Sequence, residues 1–301
     1  MNSPQQEKSA MAEGRKVLVT GASGHVASLL LPALRERYQL ILLDVRNTDR
    51  DGNEVAGLQI ADLVGSDRDS YRHYFEGIDA VVHLGHRRTL DKTQLDGYFE
   101  NEMANVRMVY NIYQVAWEEG VRRVVVASSN HAADYYEPLI LKNQWNFVTP
   151  EMKALSDNYY GWAKESGEHL GFIFAVGRNN GSPLENVQLR IGGPRETDLD
   201  TIRKGDLVRM RRSLAAYISQ RDLCQLFIRS IETEDIRDEQ GVPFLVAYGI
   251  SQNSQAYWGL ANARRILGYI PEDNSELRFA NAIQEHIHSA RNEYRISEEG
   301  S

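Results

Sequence analysis

From Lys16 onward the chain repeats one unit, a short run rich in valine, leucine and isoleucine followed by a longer segment with apolar residues at helical spacing. "KVLVTG", "QLILLD", "AVVHLG", "RRVVVASS" and "NVQLRIGG" are the runs, and "GLQIADL" is a shorter one. Strands that are apolar on both sides belong in a parallel sheet covered on both faces. Parallel strands need long crossovers, which "SGHVASLLLPALRERY", "DSYRHYFEG", "LDGYFENEMANVRMVYNIYQVAWEEG" and "DNYYGWAKESGEHLGFIFAVG" supply. Three of these four close on glycine, a helix stop. The expected fold is α/β, a Rossmann-type doubly wound parallel sheet.

In "VTGASGHVA", Gly21 and Gly24 fall between the first strand and the first helix. There the backbone can approach a diphosphate, and the free N–H groups of the helix start can bind it. Ala27 takes the third small position, which needs only close helix–sheet packing. Asp44 ends the second strand, where a carboxylate accepts hydrogen bonds from the adenosine ribose hydroxyls and repels a 2'-phosphate. The cofactor this implies is NAD. Arg46, two residues on, pulls the other way, and a plain turn aspartate is the competing reading of Asp44.

"NYYGWAKESGEHL" holds Tyr160 and Lys164 at i and i+4, one above the other on a helix face. A phenol titrates near about 10 and is a poor base at neutral pH unless positive charge favours the phenolate. Lys164 can supply that charge. The competing reading is an amphipathic helix with a lysine reaching for water.

A net charge of −8 argues against a nucleic-acid partner, which would need basic stripes to displace counterions. The one cysteine, Cys224, allows no internal disulfide and points to a reducing, cytoplasmic setting. No apolar run approaches the roughly 18 residues of a membrane span, so no membrane is expected, and no metal either. The polar opening "MNSPQQEKSAMAEG" predicts a disordered tail over residues 1–14. The NAD-binding Rossmann domain is then expected over 15–193. Beyond Gly193 the alternation fails, and 194–301 is expected as a smaller C-terminal lobe that binds substrate, with one strand-like run, "PFLVAYGIS".

Together with "ADL" at Ala61 to Leu63, "HLG" at His83 to Gly85, Asn105, and "SSN" at Ser128 to Asn130, these motifs resemble the extended short-chain dehydrogenase/reductase family, also called the epimerase/dehydratase family. The resemblance covers nearly all of the chain from Lys16. It implies cofactor contacts from Gly21, Ser23, Gly24, His25, Val26, Asp44, Asp62, Leu63, Leu84, Gly85, Asn105 and Lys164. It also implies a catalytic set of Ser129, Tyr160 and Lys164. Tyr160 would take the proton of a substrate hydroxyl, with Ser129 rather than Ser128 holding the oxygen. In this family the helix carrying Asn105 often pairs across a dimer, and its stripe of Met103, Val106, Tyr110, Tyr113 and Trp117 suits a homodimer or a core.

"VVVASSNHAADYY", "VQLRIGGPRE" and "YGISQNSQAYWGLANARRILGYIP" resemble, more narrowly, the uronate dehydrogenases, which oxidise the anomeric carbon of a hexuronic acid to a lactone. The narrower resemblance implies an acidic sugar held by Ser129, Asn130, His131 and Arg190. An arginine fork suits a carboxylate, though pairing with an acidic side chain is the alternative. Two departures stand out: His86, Arg87 and Arg88 replace small residues after "HLG", and the loop from His131 to Tyr160 is longer, with Lys142 and Trp145. They keep open a phosphorylated or nucleotide-linked sugar. A cofactor-sensing protein without chemistry is the alternative from another class.

Overall fold

The structure is a computed structural model that describes residues 14–88, 91–196 and 198–299, so residues 1–13 of the expected tail lie outside it. The chain runs from β1 (Lys16–Thr20) through α1 (His25–Arg35) to β2 (Gln39–Asp44) and β3 (Leu58–Ile60). Short helical turns, α2 (Asp69–Arg72) and His73–Phe75, lead to β4 (Ala80–His83) and the long α3 (Leu95–Glu118). Next come β5 (Arg123–Ser129), the turns Asn130–Tyr136, α4 (Glu137–Leu141), α5 (Tyr159–Val176) and β6 (Glu185–Ile191). After the turn Asp198–Thr201, α6 (Leu207–Ala216) and α7 (Gln220–Glu232) precede β7 (Phe244–Gly249). A π-helical turn, Ala263–Leu267, then α8 (Ser275–Arg278) and α9 (Ala280–Glu299) complete the described chain.

The strands form one seven-stranded sheet in the order β3-β2-β1-β4-β5-β6-β7, with every pairing parallel. Side chains alternate across it, as the strand period of two requires. Val17, Val19, Val82, Val125 and Val187 face a layer with Leu30 and Leu34 of α1 and Leu223 and Phe227 of α7. Leu18, Val81, Val124 and Val126 face the other, with Ile112 and Tyr113 of α3 and Phe174 of α5. Each such side chain withdrawn from water contributes about 1.5–3 kcal/mol before entropy is counted. No helix among the described residues is long and apolar enough to cross a membrane.

The run "PFLVAYGIS" returns to this sheet as β7, paired with β6 from Asn186↔Phe244 to Ile191↔Gly249. Residues on both sides of Gly193 therefore build the sheet and its helical cover. Outside those layers, Ala215, Ala216, Ile250, Tyr257 and Trp258 pack with Ala133, Ile140 and Val148 of the long loop before α5. Because the strands are parallel, their carboxyl ends share one edge, where a ligand cleft is expected. There the glycine loop, Asp44, the loop after β4, Ser129 and the segment after β6 meet.

Candidate active site

Gly21 has φ +72°, and a Cβ on it would lie 2.5 Å from the Gly85 backbone nitrogen. Only glycine lets the loop after β1 cross the loop after β4 at this distance. Gly24 then caps α1 with no side-chain hydrogen bond, so the helix start keeps N–H groups for an external acceptor. Ser23 donates to Asp44 Oδ2 from its N–H at 2.9 Å and from its hydroxyl at 2.7 Å. His25 is joined to the segment after β6 through the Pro194 carbonyl at 2.8 Å. Val26 packs on the core. The half-buried Leu84 donates its N–H to the Thr20 carbonyl at 2.9 Å, and Gly85 follows it into the cleft. At the other end, Asp62 is exposed and accepts from the Val64 N–H, while Leu63 is buried. An uncapped helix start, a carboxylate at the end of β2 and close backbone crossings fit a dinucleotide. Arg46 also reaches this corner, donating to the Ser23 hydroxyl at 3.1 Å.

Asn158 caps α5 by accepting from the Gly161 N–H at 3.0 Å, which fixes where the helix begins. A Cβ on Gly161 would overlap the His131 carbonyl and Ser156, so this glycine lets the first turn press against the end of β5. That contact brings Tyr160 to Ser129, whose hydrogen bond draws the phenol pKa down while burial, the larger effect, raises it. Lys164 lies 5.8 Å from the Tyr160 ring centre and donates to the Ala127 carbonyl at 2.9 Å. Burial pushes its pKa down to about 8, against the pull of Glu102 and Glu168. The expected Ser129, Tyr160 and Lys164 are thus brought together. Ser128 points the other way and donates to Glu168 at 2.6 Å. Asn130 is buried beside Ser129, and its Nδ2 has no partner among the described residues.

Two expected contacts take other partners. Arg190 is buried, with Nε 2.9 Å and Nη2 2.7 Å from the two oxygens of Glu168, and it also donates to the Tyr248 hydroxyl at 3.2 Å. It points into the same layer as Ser128, its partner across the ladder, so its fork is closed by Glu168 and unavailable to a sugar carboxylate. Asn105 accepts from the Arg87 N–H at 2.7 Å and donates to the Arg87 carbonyl and to Glu102, each at 3.0 Å. Its amide thus holds the loop that borders the cleft.

A different cation stands near the reacting pair. His131 faces the Tyr160 ring edge-on at 5.6 Å, and its Nδ1 lies 2.5 Å from Asp134 Oδ2. Its Nε2 accepts from Arg212 Nη2 at 3.4 Å, while Arg212 Nε is held by Glu137 at 3.1 Å. In the sequence Arg212 sits in the run "RMRR", which looks like a solvated surface. The available signal was spacing, since Arg212 precedes the buried Ala215 and Ala216 by three and four residues.

Residues 17–175 match the NAD dependent epimerase/dehydratase family. A uronate dehydrogenase of Pseudomonas syringae pv. tomato is 28% identical over 264 residues, 87% of this chain and 83% of that protein. An NAD-dependent glucose-6-phosphate dehydrogenase of Haloferax volcanii is also 28% identical, over 277 residues, 86% of this chain and 94% of that protein. The crystal structure of uronate dehydrogenase from Agrobacterium tumefaciens superposes with a TM-score of 0.68 at 25% identity, covering 90% of this chain and 89% of that one.

Proposed function

The chain belongs to the NAD dependent epimerase/dehydratase family and is an NAD-dependent oxidoreductase, and from that premise we infer that it oxidises the C1 hydroxyl of a uronate-type sugar acid to a lactone. The observation that carries the substrate class is Arg212, which pairs with Glu137 through Nε only and turns Nη2 to His131, the ring that stands edge-on to Tyr160. When bound, the oxidised nicotinamide supplies the hydride acceptor. Ser129 and Tyr160 receive the reacting hydroxyl, and Tyr160 takes its proton. Lys164 favours the phenolate and, with Asp44 and the start of α1, is assigned to the cofactor. Asn130 has a free donor for a ring hydroxyl, and Arg212 with His131 meets the carboxylate.

A specific observation keeps a phosphorylated sugar as the second reading. Arg50, six residues beyond β2, has its pKa lowered by partial burial and then by the charges of Arg88, Arg195 and Arg46, so four guanidinium groups are within electrostatic reach of one another near the carboxyl end of β2. Glucuronate, galacturonate and glucose 6-phosphate separate the readings. With a uronate, Arg212→Ala is expected to lower kcat/KM by roughly 10- to 150-fold, the scale of a lost charged hydrogen bond. Activity confined to glucose 6-phosphate, undiminished in Arg212→Ala, would reject the uronate.

The homodimer belongs to the same proposal. Tyr113 of the expected stripe is core, donating to the Gly167 carbonyl at 3.2 Å, but Phe99, Met103 and Tyr110 of α3 and Tyr159 and Phe172 of α5 remain exposed. An apolar face spread over two adjacent helices suits pairing with a second copy. Light scattering at micromolar concentration is expected to give twice the chain mass, and a monomer mass would remove this part.

A further inference from the structure

Glu102 lies on α3, facing the reacting pair, and is only 1% exposed. Such a carboxylate needs a partner of opposite charge or several hydrogen bonds. Asn105 donates to its Oε2 at 3.0 Å, and His86 Nε2 lies 3.7 Å from its Oε1. The His86 ring, in turn, stands edge-on to Tyr160 with centres 5.0 Å apart and planes at 86°. His86, Asn105 and Lys164 also wall, with Val109, Val126 and Ser128, a small cavity of about 20 Å³, room for one water.

We propose that Glu102 is a positioning residue for the reaction, supplying from α3 the counter-charge of Lys164 and, through His86, setting the ring of Tyr160. The proposal rests on Tyr160 being the base. Two carboxylates favour the ammonium of Lys164, Glu102 first and then Glu168, and Glu168 is shared with Arg190. His86 cannot balance Lys164. Burial, then Lys164, His83, Lys92 and Arg88, hold its pKa down to about 2, and burial holds His83 at about 3. With Tyr160 as phenol, Lys164 and Arg190 offset Glu102 and Glu168. Making the phenolate adds one negative charge, which Glu102 opposes directly, as does Asp134, while Arg195 favours it.

Removing the Glu102 charge lowers the pKa of both members of the pair, because a nearby anion favours the protonated form of lysine and phenol alike. In Glu102→Gln the two coupled steps should therefore move to lower pH together, by about one unit. The titration is read in cofactor-free enzyme from the near-ultraviolet phenolate absorbance, as the difference between each protein and its Tyr160→Phe counterpart. Glu102→Asp keeps the charge and should return the midpoint to that of the parent. The double variant His86→Ala with Glu102→Leu removes the polar pair without leaving a buried charge alone, and it should show the same shift as Glu102→Gln. An unmoved midpoint in whichever of these two folds overturns the proposal. Failure of the underlying reading shows differently, as a Tyr160→Phe enzyme that keeps its turnover.

Discussion

Tyr160→Phe is expected to lower turnover by about a hundredfold or more while NAD binds as before. The change removes the phenol oxygen and leaves the ring, so the edge contacts with His86 and His131 and the capped start of α5 persist. No cofactor contact is assigned to that oxygen; those contacts are assigned to Lys164, Asp44 and the glycine loop, which the substitution leaves unchanged. Turnover is followed by the absorbance of reduced cofactor on the most active sugar of the panel, and binding by calorimetry. Near-normal turnover with normal binding would show that the helix face is structural and the base lies elsewhere.

Arg190→Ala should act on folding rather than on substrate affinity. It strands Glu168 in a buried site with only the Ser128 hydroxyl, and breaking a buried pair on one side costs about 3–5 kcal/mol. The urea midpoint should fall accordingly. Arg190→Met combined with Glu168→Leu removes both charges and should recover most of the loss, since an apolar pair of similar volume is tolerated in such positions. A single variant of unchanged stability that has lost affinity for a uronate would return Arg190 to the substrate site.

The sheet was legible because its strands are apolar on both faces and each is punctuated by glycine or a capping residue. The glycine loop, Asp44 and the Tyr160–Lys164 pair were legible for a local reason: each lies within a few residues of the strand or helix end that positions it. What escaped depends on contacts between distant segments. Arg190 lies on a central strand, and its direction follows from the pleat, with Ser128 opposite it and Glu168 arriving from α5. Arg212 reaches the site only because α6 packs against the loop after β5, joining residues 81 positions apart. Glu102 and His86 meet across the gap between α3 and the loop after β4, and neither neighbourhood in sequence announces the other. The place of "PFLVAYGIS" beside β6 is likewise a matter of strand order, which periodicity does not encode.

That last strand bears on how the protein is made. Until residues 244–249 leave the ribosome, β6 is the edge of the sheet, and its buried run Asn186–Ile191 offers an unpaired row of backbone groups. Nascent chains that stop near Gly193 hold every residue assigned to the catalytic triad and the glycine loop, yet they present the kind of open apolar edge that recruits other chains. Synthesis thus passes through a stretch in which the residues of the cleft are already encoded while the last edge of the sheet is still unpaired.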